Sequence, residues 1–140
     1  MLKRITSVSA ALVLLLGLFG VFAMAADGDY PSKWAEVDVQ EAVFAGLIPD
    51  ALQTKLLQAM TRAEFCALTV RLYETVTGEV ITGRVKFGDT SDVNVEKMAY
   101  VKVANGTSPG KFTPDKALSR EEAATMLARL SDALGKPFPK

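Results

Sequence analysis

The sequence contains no histidine and a single cysteine, Cys66. Without histidine, the chain has no His-based catalytic triad, no imidazole metal ligand and no ordinary general base near neutral pH. One cysteine cannot form a disulfide within the chain, and its place in a predicted helix favours a buried, apolar role. The loops carry no EF-hand spacing. These absences exclude His-based catalysis and histidine or EF-hand metal sites, and no cofactor or metal is predicted.

Neither sign of charge dominates the chain, which has 16 Lys and Arg against 16 Asp and Glu in 140 residues. This balance argues against a nucleic-acid partner and against an anionic membrane surface as partner. The length suffices for one small domain or for two short repeats.

The long apolar run of the sequence lies at its N-terminus. Met1–Arg4 is basic, Ala10–Phe22 is nearly all apolar, and Ala23-Met24-Ala25 has the small residues of a cleavage site. This order predicts a secretory signal peptide over residues 1–25. A membrane anchor is the alternative, but the run is short for a spanning helix and no basic cluster follows it. The mature protein is predicted to be secreted, with no membrane contact after cleavage.

Two stretches of the mature chain have the pattern of a helix capping box. Thr61 precedes Glu64 by three residues, and Ser119 precedes Glu122 by the same distance. In a capping box, the hydroxyl accepts the backbone N–H of the glutamate, and the glutamate side chain accepts the N–H of the cap residue. The two boxes stand at positions 61 and 119, which predicts two similar units in tandem.

An arginine follows the cap residue in both boxes, at Arg62 and Arg120. Capping does not need it, and a positive charge at a helix N-terminus opposes the helix dipole. Its repetition indicates that the arginine acts outside its own helix, although a solvated or ion-paired arginine is the alternative at either position.

Apolar spacing predicts four helices, over residues 33–45, 62–77, 93–103 and 120–134, with glycines at or near their ends. The predicted fold class is all-α, with a first helix–loop–helix repeat over 26–78, a second over 79–135 and a tail over 136–140. The residues predicted to face inward are Trp34, Ala35, Val39, Ala42 and Val43 in the first helix, Phe65, Leu68, Leu72, Tyr73 and Val76 in the second, Val95, Met98, Ala99 and Val103 in the third, and Ala123, Met126, Leu127, Leu130 and Leu134 in the fourth.

The order of motifs in the second unit resembles the S-layer homology domain. That family has the approximate pattern F-x-D, helix, N-G, F-x-P, and then I-T-R-x-E at the start of a second helix. The matching stretches are Phe87-Gly88-Asp89, Asn105-Gly106-Thr107, Phe112-Thr113-Pro114 and Leu118-Ser119-Arg120-Glu121-Glu122, with Trp34-Ala35, Ala45-Gly46-Leu47 and Met60-Thr61-Arg62-Ala63-Glu64 in the first unit. The residues in these motifs are similar to those of the clostridial and related Firmicutes proteins of this family.

The resemblance implies a non-enzymatic anchor at the cell wall or S-layer. The expected partner is a peptidoglycan-linked secondary cell-wall polysaccharide, which is anionic and often ends in a pyruvylated sugar. Carried over to this chain, the arginines that contact the sugar are Arg62 and Arg120. The remaining site residues implied by the family are the caps Thr61 and Ser119, the aromatic residue Trp34 and the motif aspartate Asp89.

Family members usually close a pseudo-threefold bundle with three repeats, and this sequence supplies two. The expectation is an incomplete bundle that self-associates or pairs with another chain bearing such repeats. Two other functions stay open from the sequence. One is a degenerate repeat pair for protein–protein assembly at the cell surface, and the other is a small wall-active hydrolase.

Overall fold

A computed structural model describes residues 30–139. The predicted signal peptide lies outside the described residues, as does the last residue of the tail. Within 30–139, the chain forms helix α1 (Glu36–Phe44), a 3-10 helix (Asp50–Leu52), helix α2 (Arg62–Thr77), helix α3 (Val93–Tyr100) and helix α4 (Arg120–Ala133). No strand is present in this part of the chain. The predicted all-α class is confirmed.

Helices α2 and α4 begin at the two predicted capping boxes. The backbone N–H of Glu64 donates to Thr61 Oγ1 at 3.2 Å, and the N–H of Thr61 donates to Glu64 Oε2 at 2.8 Å. The box of α4 has the same pair of bonds between Ser119 and Glu122, at 3.1 and 3.0 Å. Both predicted helix starts are therefore confirmed with their caps.

Helices α1 and α3 are shorter than the sequence predicted. Helix α1 begins three residues later than expected, at Glu36. Helix α3 ends at Tyr100 instead of 103, because Lys102 adopts a left-handed conformation with φ 62°. The N–H groups of Val103 and Ala104 then both donate to the Met98 carbonyl, at 2.9 and 3.1 Å. This turn buries Val103 without any further helix.

The hydrophobic core lies between α2, α3 and α4, so it crosses the predicted boundary between positions 78 and 79. Helix α2 buries Cys66 and Val70 there, whereas Val76 is 50% exposed. The predicted apolar face of α2 is therefore rotated, with Phe65, Leu72 and Tyr73 only partly buried at the rim. The buried apolar side chains of this core are Cys66, Val70, Ile81, Val95, Met98, Val103, Ala104, Phe112, Met126 and Leu130.

The predicted buried role of Cys66 is correct. Its side chain is fully buried, and this burial raises the pKa of the thiol to about 12. In α4 the prediction holds for Met126 and Leu130, but Leu127 is 44% exposed. Leu127 lies roughly 60–100° around the helix from those two residues, at the edge of the buried face. Cys66 is thus an inert core residue.

Helix α1 buries no residue in this core. Its predicted inward face was wrong for Trp34, which is 84% exposed, while Val39 and Val43 are half-buried. Phe44, the last residue of α1, is 96% exposed. The first helix therefore leaves aromatic side chains on the surface, and the packing that stabilises α2 comes from the second unit.

The long loop between α3 and α4 is held in shape from two sides. The Asp89 carboxylate accepts the backbone N–H groups of Phe112 and Thr113 at 2.8–3.1 Å. The Phe112 ring is fully buried, with its centroid 5.3 Å from that of Phe87. A tight turn brings the Thr107 N–H to 2.9 Å from the Lys111 carbonyl. Asp89 thus fixes the loop that faces the start of α2.

This turn predicts a requirement for glycine at position 106. A Cβ atom there would lie 2.7 Å from the Lys111 carbonyl oxygen, which belongs to the backbone and cannot move aside. We expect Gly106→Ala to lower the free energy of unfolding by about 1–3 kcal/mol, as overpacking does. Gly88→Ala is the matched control, because a Cβ at position 88 meets nothing nearer than 3.5 Å. Thermal melts of both variants measure this, and equal melting temperatures would contradict it.

Candidate functional site, a cleft between the two units

The start of α2 is hydrogen-bonded along its backbone to the segment that precedes α4. These bonds replace the partners that the first N–H groups of a helix lack within the helix itself. They also set the two capping boxes side by side. The bonds run from Arg62 N–H to Lys116 O at 3.0 Å, from Ala63 N–H to Pro114 O at 3.0 Å, and from Leu118 N–H to Met60 O at 2.8 Å.

The Arg62 side chain extends from this junction into the second unit. Its Nε donates to the Phe112 carbonyl at 3.0 Å, and its Nη2 donates to the Asn105 carbonyl at 2.8 Å. Its Nη1 pairs with Glu122 Oε1 at 3.0 Å. The guanidinium carbon lies 4.5 Å from the centroid of the Phe112 ring. Arg62 is only 5% exposed, so its charge is held by three separate segments of the second unit.

A cleft of about 550 Å³ opens beside this buried arginine. One wall is the loop 105–107, and the other is the face of α4 that carries Glu122, Thr125 and Arg129. Those three residues share a face because they are spaced three and four positions apart. The lining residues are Arg62, Asn105, Gly106, Thr107, Lys116, Ser119, Glu121, Glu122, Thr125, Met126 and Arg129.

The charges of the cleft are three cations and two carboxylates. Glu122 is neutralised within the protein, because its Oε1 accepts from Arg62 at 3.0 Å and from Lys116 at 3.1 Å. Two hydrogen bonds lower the pKa of Glu122 to about 2. The larger effect comes from the Ser119 N–H and the smaller from the Lys116 ammonium. With its amide oriented to satisfy both groups, Asn105 accepts from Arg129 Nη1 at 3.2 Å. The cleft keeps a net positive charge, with Arg129 and Lys116 at its open side.

The structure distributes the six site residues predicted from the sequence over several places. Arg62 and Ser119 line the cleft. Thr61 lines a second cavity, on the side of α2 next to Leu52 and Leu68. The other three do not line the cleft: Arg120 is exposed at the start of α4, Asp89 holds the loop that carries Phe112, and Trp34 is exposed near α1.

Sequence reasoning missed Arg129, Lys116 and the Asn105 carbonyl as parts of this cleft. The signal for Arg129 was its position seven residues after Glu122, which places it on the same face of α4. No comparable signal existed for Lys116, since its place depends on the backbone pairing with α2. Polysaccharide contacts by the six predicted residues remain a prediction.

Within residues 30–139, no helix has the length and apolar character needed to cross a membrane. The same part of the chain has no group of three or more Cys, Asp or Glu side chains arranged to hold a metal ion.

The described part of the chain is all-α, and its charged cleft lies where the start of α2 meets the segment that precedes α4. The family model of the S-layer homology domain matches residues 94–124, which run from α3 through the cleft loop into α4. The family resemblance predicted from the motifs is therefore confirmed for residues 94–124. The Firmicutes type of the sequence stays a prediction.

The chain is also similar to an endoglucanase of Bacillus sp. (strain KSM-635), with 26% identity over 125 residues. The similarity covers 79% of this chain and 13% of the endoglucanase. No solved structure matches the chain. An S-layer homology domain is a binding domain associated with the cell surface, so the family match supports attachment to the cell wall in general terms. That the whole chain lacks enzymatic activity stays a prediction.

The burial of Arg62 predicts that the two motif arginines differ in their effect on stability. Arg62→Ala removes one donor each from the Glu122 carboxylate, from the buried Phe112 carbonyl and from the Asn105 carbonyl, and we expect a loss on the order of 3 kcal/mol. Arg120→Ala is the matched control, because Arg120 occupies the same motif position but is exposed. It should change stability by less than about 0.5 kcal/mol. Denaturant unfolding of both variants measures the difference, and equal losses would show that Arg62 does not hold the units together.

The lowered pKa of Glu122 predicts that stability depends on acid pH. The folded-state pKa is about 2 against an ordinary value of 4.5, so the carboxylate contributes stability above pH 4.5. This contribution is lost as the pH falls from 4.5 towards 2. As the pH is lowered through this range, the free energy of unfolding should fall less steeply for Glu122→Gln than for the wild-type protein. Glu121→Gln, which alters a neighbouring carboxylate that accepts no hydrogen bond among residues 30–139, should keep the wild-type slope.

Proposed function

We propose that this protein is secreted and attaches to the cell wall by binding an anionic secondary cell-wall polysaccharide linked to peptidoglycan. The proposal is supported by one observation above others, the positively charged cleft between the two units. The S-layer homology match covers one wall of that cleft and the start of the other. The similarity to an endoglucanase over 13% of its length agrees with a segment that accompanies other activities and does not supply one.

The charged groups of the cleft suit a sugar that carries a carboxylate. Arg129 has its guanidinium at the cleft with a single described partner, the Asn105 side chain. A guanidinium presents parallel N–H donors that match a carboxylate, and Lys116 adds a second cation nearby. The Ser119, Thr107 and Thr125 hydroxyls offer partners for sugar hydroxyls at the same surface.

Arg62 has a different part in this proposal. Each of its three guanidinium nitrogens donates to the protein, to the Phe112 and Asn105 carbonyls and to Glu122, so its charge already has protein partners. We propose that Arg62 holds the wall of the cleft in position, and that only the small part of it that lines the cleft contacts the ligand. Arg120 and Trp34 are exposed outside the cleft, where they could meet a longer glycan. Thr61 and Asp89 act through the helix cap and the loop.

The second candidate function is protein–protein assembly at the cell surface. It is favoured by the exposed aromatic residues of the first unit, Trp34 at 84% and Phe44 at 96% exposure. A carbohydrate surface needs one such ring, whereas a pair of exposed aromatic side chains near one helix also suits a protein partner.

Sedimentation with purified wall sacculi tests the proposed function. The secreted protein should pellet with sacculi that retain their polysaccharide and should stay in solution after the polysaccharide has been extracted. Arg129→Gln should weaken this binding roughly tenfold or more, because it removes a charge-assisted contact. If wild-type protein fails to pellet with intact sacculi, the anchoring function is wrong.

Arg71→Gln is the matched control for that experiment. Arg71 lies on α2 at the position equivalent to Arg129 on α4, and it is exposed and outside the cleft. The control should bind sacculi as wild type does. Turbidity of the sacculi, followed in parallel, separates binding from wall hydrolysis, because only a hydrolase would clear the suspension.

A further inference from the structure

The contact between the two units uses a set of groups that the chain carries twice. At the start of α2, the Met60 carbonyl accepts one hydrogen bond, and the N–H groups of Arg62 and Ala63 donate two. All three bonds go to the segment 114–118 of the second unit. The start of α4 presents the equivalent groups 58 positions later, on Leu118 and on the two residues that follow Ser119.

These equivalent groups have no partner in the part of the chain that the structure describes. Within residues 30–139, the Leu118 carbonyl accepts no hydrogen bond, and the N–H groups of Arg120 and Glu121 donate none. The Arg120 side chain is exposed, where that of Arg62 is buried. The start of α4 is therefore one half of an interface whose other half is seen at α2.

The first unit carries the complementary half. Its segment 56–60 is equivalent to the segment 114–118 that pairs with α2. Within residues 30–139, the carbonyls of Leu56 and Gln58 accept no hydrogen bond, and the N–H of Met60 donates none. They are equivalent to the Pro114 and Lys116 carbonyls and the Leu118 N–H, which are all used between the units. The spacing of donors and acceptors therefore matches that of the start of α4.

A cavity beside this segment lies in the place that corresponds to the cleft of the second unit. Its lining is mostly apolar, with Lys55 and Glu64 as its charged residues. It has a volume of about 310 Å³, and Glu64 lines it at the position that Glu122 takes in the second unit. Glu64 Oε1 pairs with Lys55 at 3.0 Å, as Glu122 pairs with Lys116. Glu122 has Arg62 as an additional cationic partner, whereas Glu64 has no second cation among the described residues.

We propose that two copies of this chain associate head to tail, with Arg120 of one copy inserted beside Glu64 of the second copy. The backbone would pair as it does within the chain, with the Arg120 and Glu121 N–H groups donating to the Gln58 and Leu56 carbonyls of the second copy. The charges complement each other, and the contact continues an interface already present between the units. This proposal does not depend on the wall-binding function.

The contact between copies is weaker than the one within the chain. Phe112, whose ring lies against Arg62, has Thr54 as its equivalent in the first unit, so Arg120 gains no aromatic contact. The two halves also meet as separate molecules, and association costs translational and rotational freedom. The two surfaces in this contact differ, so each copy in a pair still offers one of them to a further copy. Such a contact builds an open filament unless the rotation between copies closes a ring. Association is therefore expected to depend on protein concentration.

Charge exchange tests the proposal in solution. Arg120→Glu and Glu64→Arg should each weaken self-association roughly tenfold or more, because like charges then face each other. An equimolar mixture of the two variants should associate again, since every contact between unlike copies joins opposite charges. Light scattering over roughly a hundredfold range of concentration measures this. A wild-type protein that stays monomeric throughout would overturn the proposal, and so would association that neither variant weakens.

A disulfide cross-link tests the geometry without relying on affinity, and it remains usable if Glu64→Arg disturbs its capping box. Glu121→Cys mixed with Leu57→Cys, which keeps Arg120, should form an intermolecular disulfide under oxidising conditions, because both positions are exposed and lie opposite each other in the proposed pairing. Glu121→Cys mixed with Glu79→Cys is the control and should not cross-link. Cys66 is fully buried and should not react. Equal cross-linking in both mixtures would overturn the proposal. It would also be overturned if the chain associated with a different surface protein and not with a second copy of itself.

Discussion

The buried guanidinium of Arg62 is the interaction on which the arrangement of the two units depends. An arginine charge that leaves water is tolerated only where acceptors surround it, because desolvation otherwise costs several kcal/mol. Here the acceptors are the Asn105 and Phe112 carbonyls and the Glu122 carboxylate. They come from separate segments of the second unit, so the loop must keep one shape for the charge to be satisfied.

That requirement also explains the roles of two other motif residues, Asp89 and Gly106. Asp89 accepts the N–H groups next to the Phe112 carbonyl, which turns that carbonyl towards the arginine. The absence of a side chain at Gly106 lets the turn close against the Lys111 carbonyl. These motif residues have structural tasks, and the ligand-facing groups of the cleft are their neighbours. The cleft and the unit interface therefore share a wall, and a variant that disturbs one disturbs the other.

The local parts of this fold could be predicted from the sequence, since they depend on residues close together in the chain. The capping boxes at Thr61 and Ser119 correctly predicted the first residue of α2 and of α4. The side of α2 that is buried could not be predicted, because α3 and the loop decide it and select Cys66 and Val70. For the site, Arg62 does reach outside its helix, but into an ion pair with Glu122, which is the alternative that the sequence left open. Its acceptors lie 43 to 60 residues away, beyond what periodicity reveals.

Whether a motif arginine of this chain is buried or exposed depends on which groups pack against the start of its helix. Arg62 and Arg120 have the same cap, the same first-turn position and the same opposition to the helix dipole. Arg62 is buried because the loop and Glu122 of the next unit offset its charge, while Arg120 is exposed with the same geometry and no such neighbour among the described residues. An exposed arginine beside N–H groups and a carbonyl that have no partner within residues 30–139 is suited to a second protein surface more than to a sugar alone. A sugar could accept from the guanidinium, but it would not reproduce the alternating carbonyl and N–H groups of a peptide segment. The backbone pattern therefore supports the proposed contact between copies at the start of α4, next to the cleft that Ser119 and Glu121 also line.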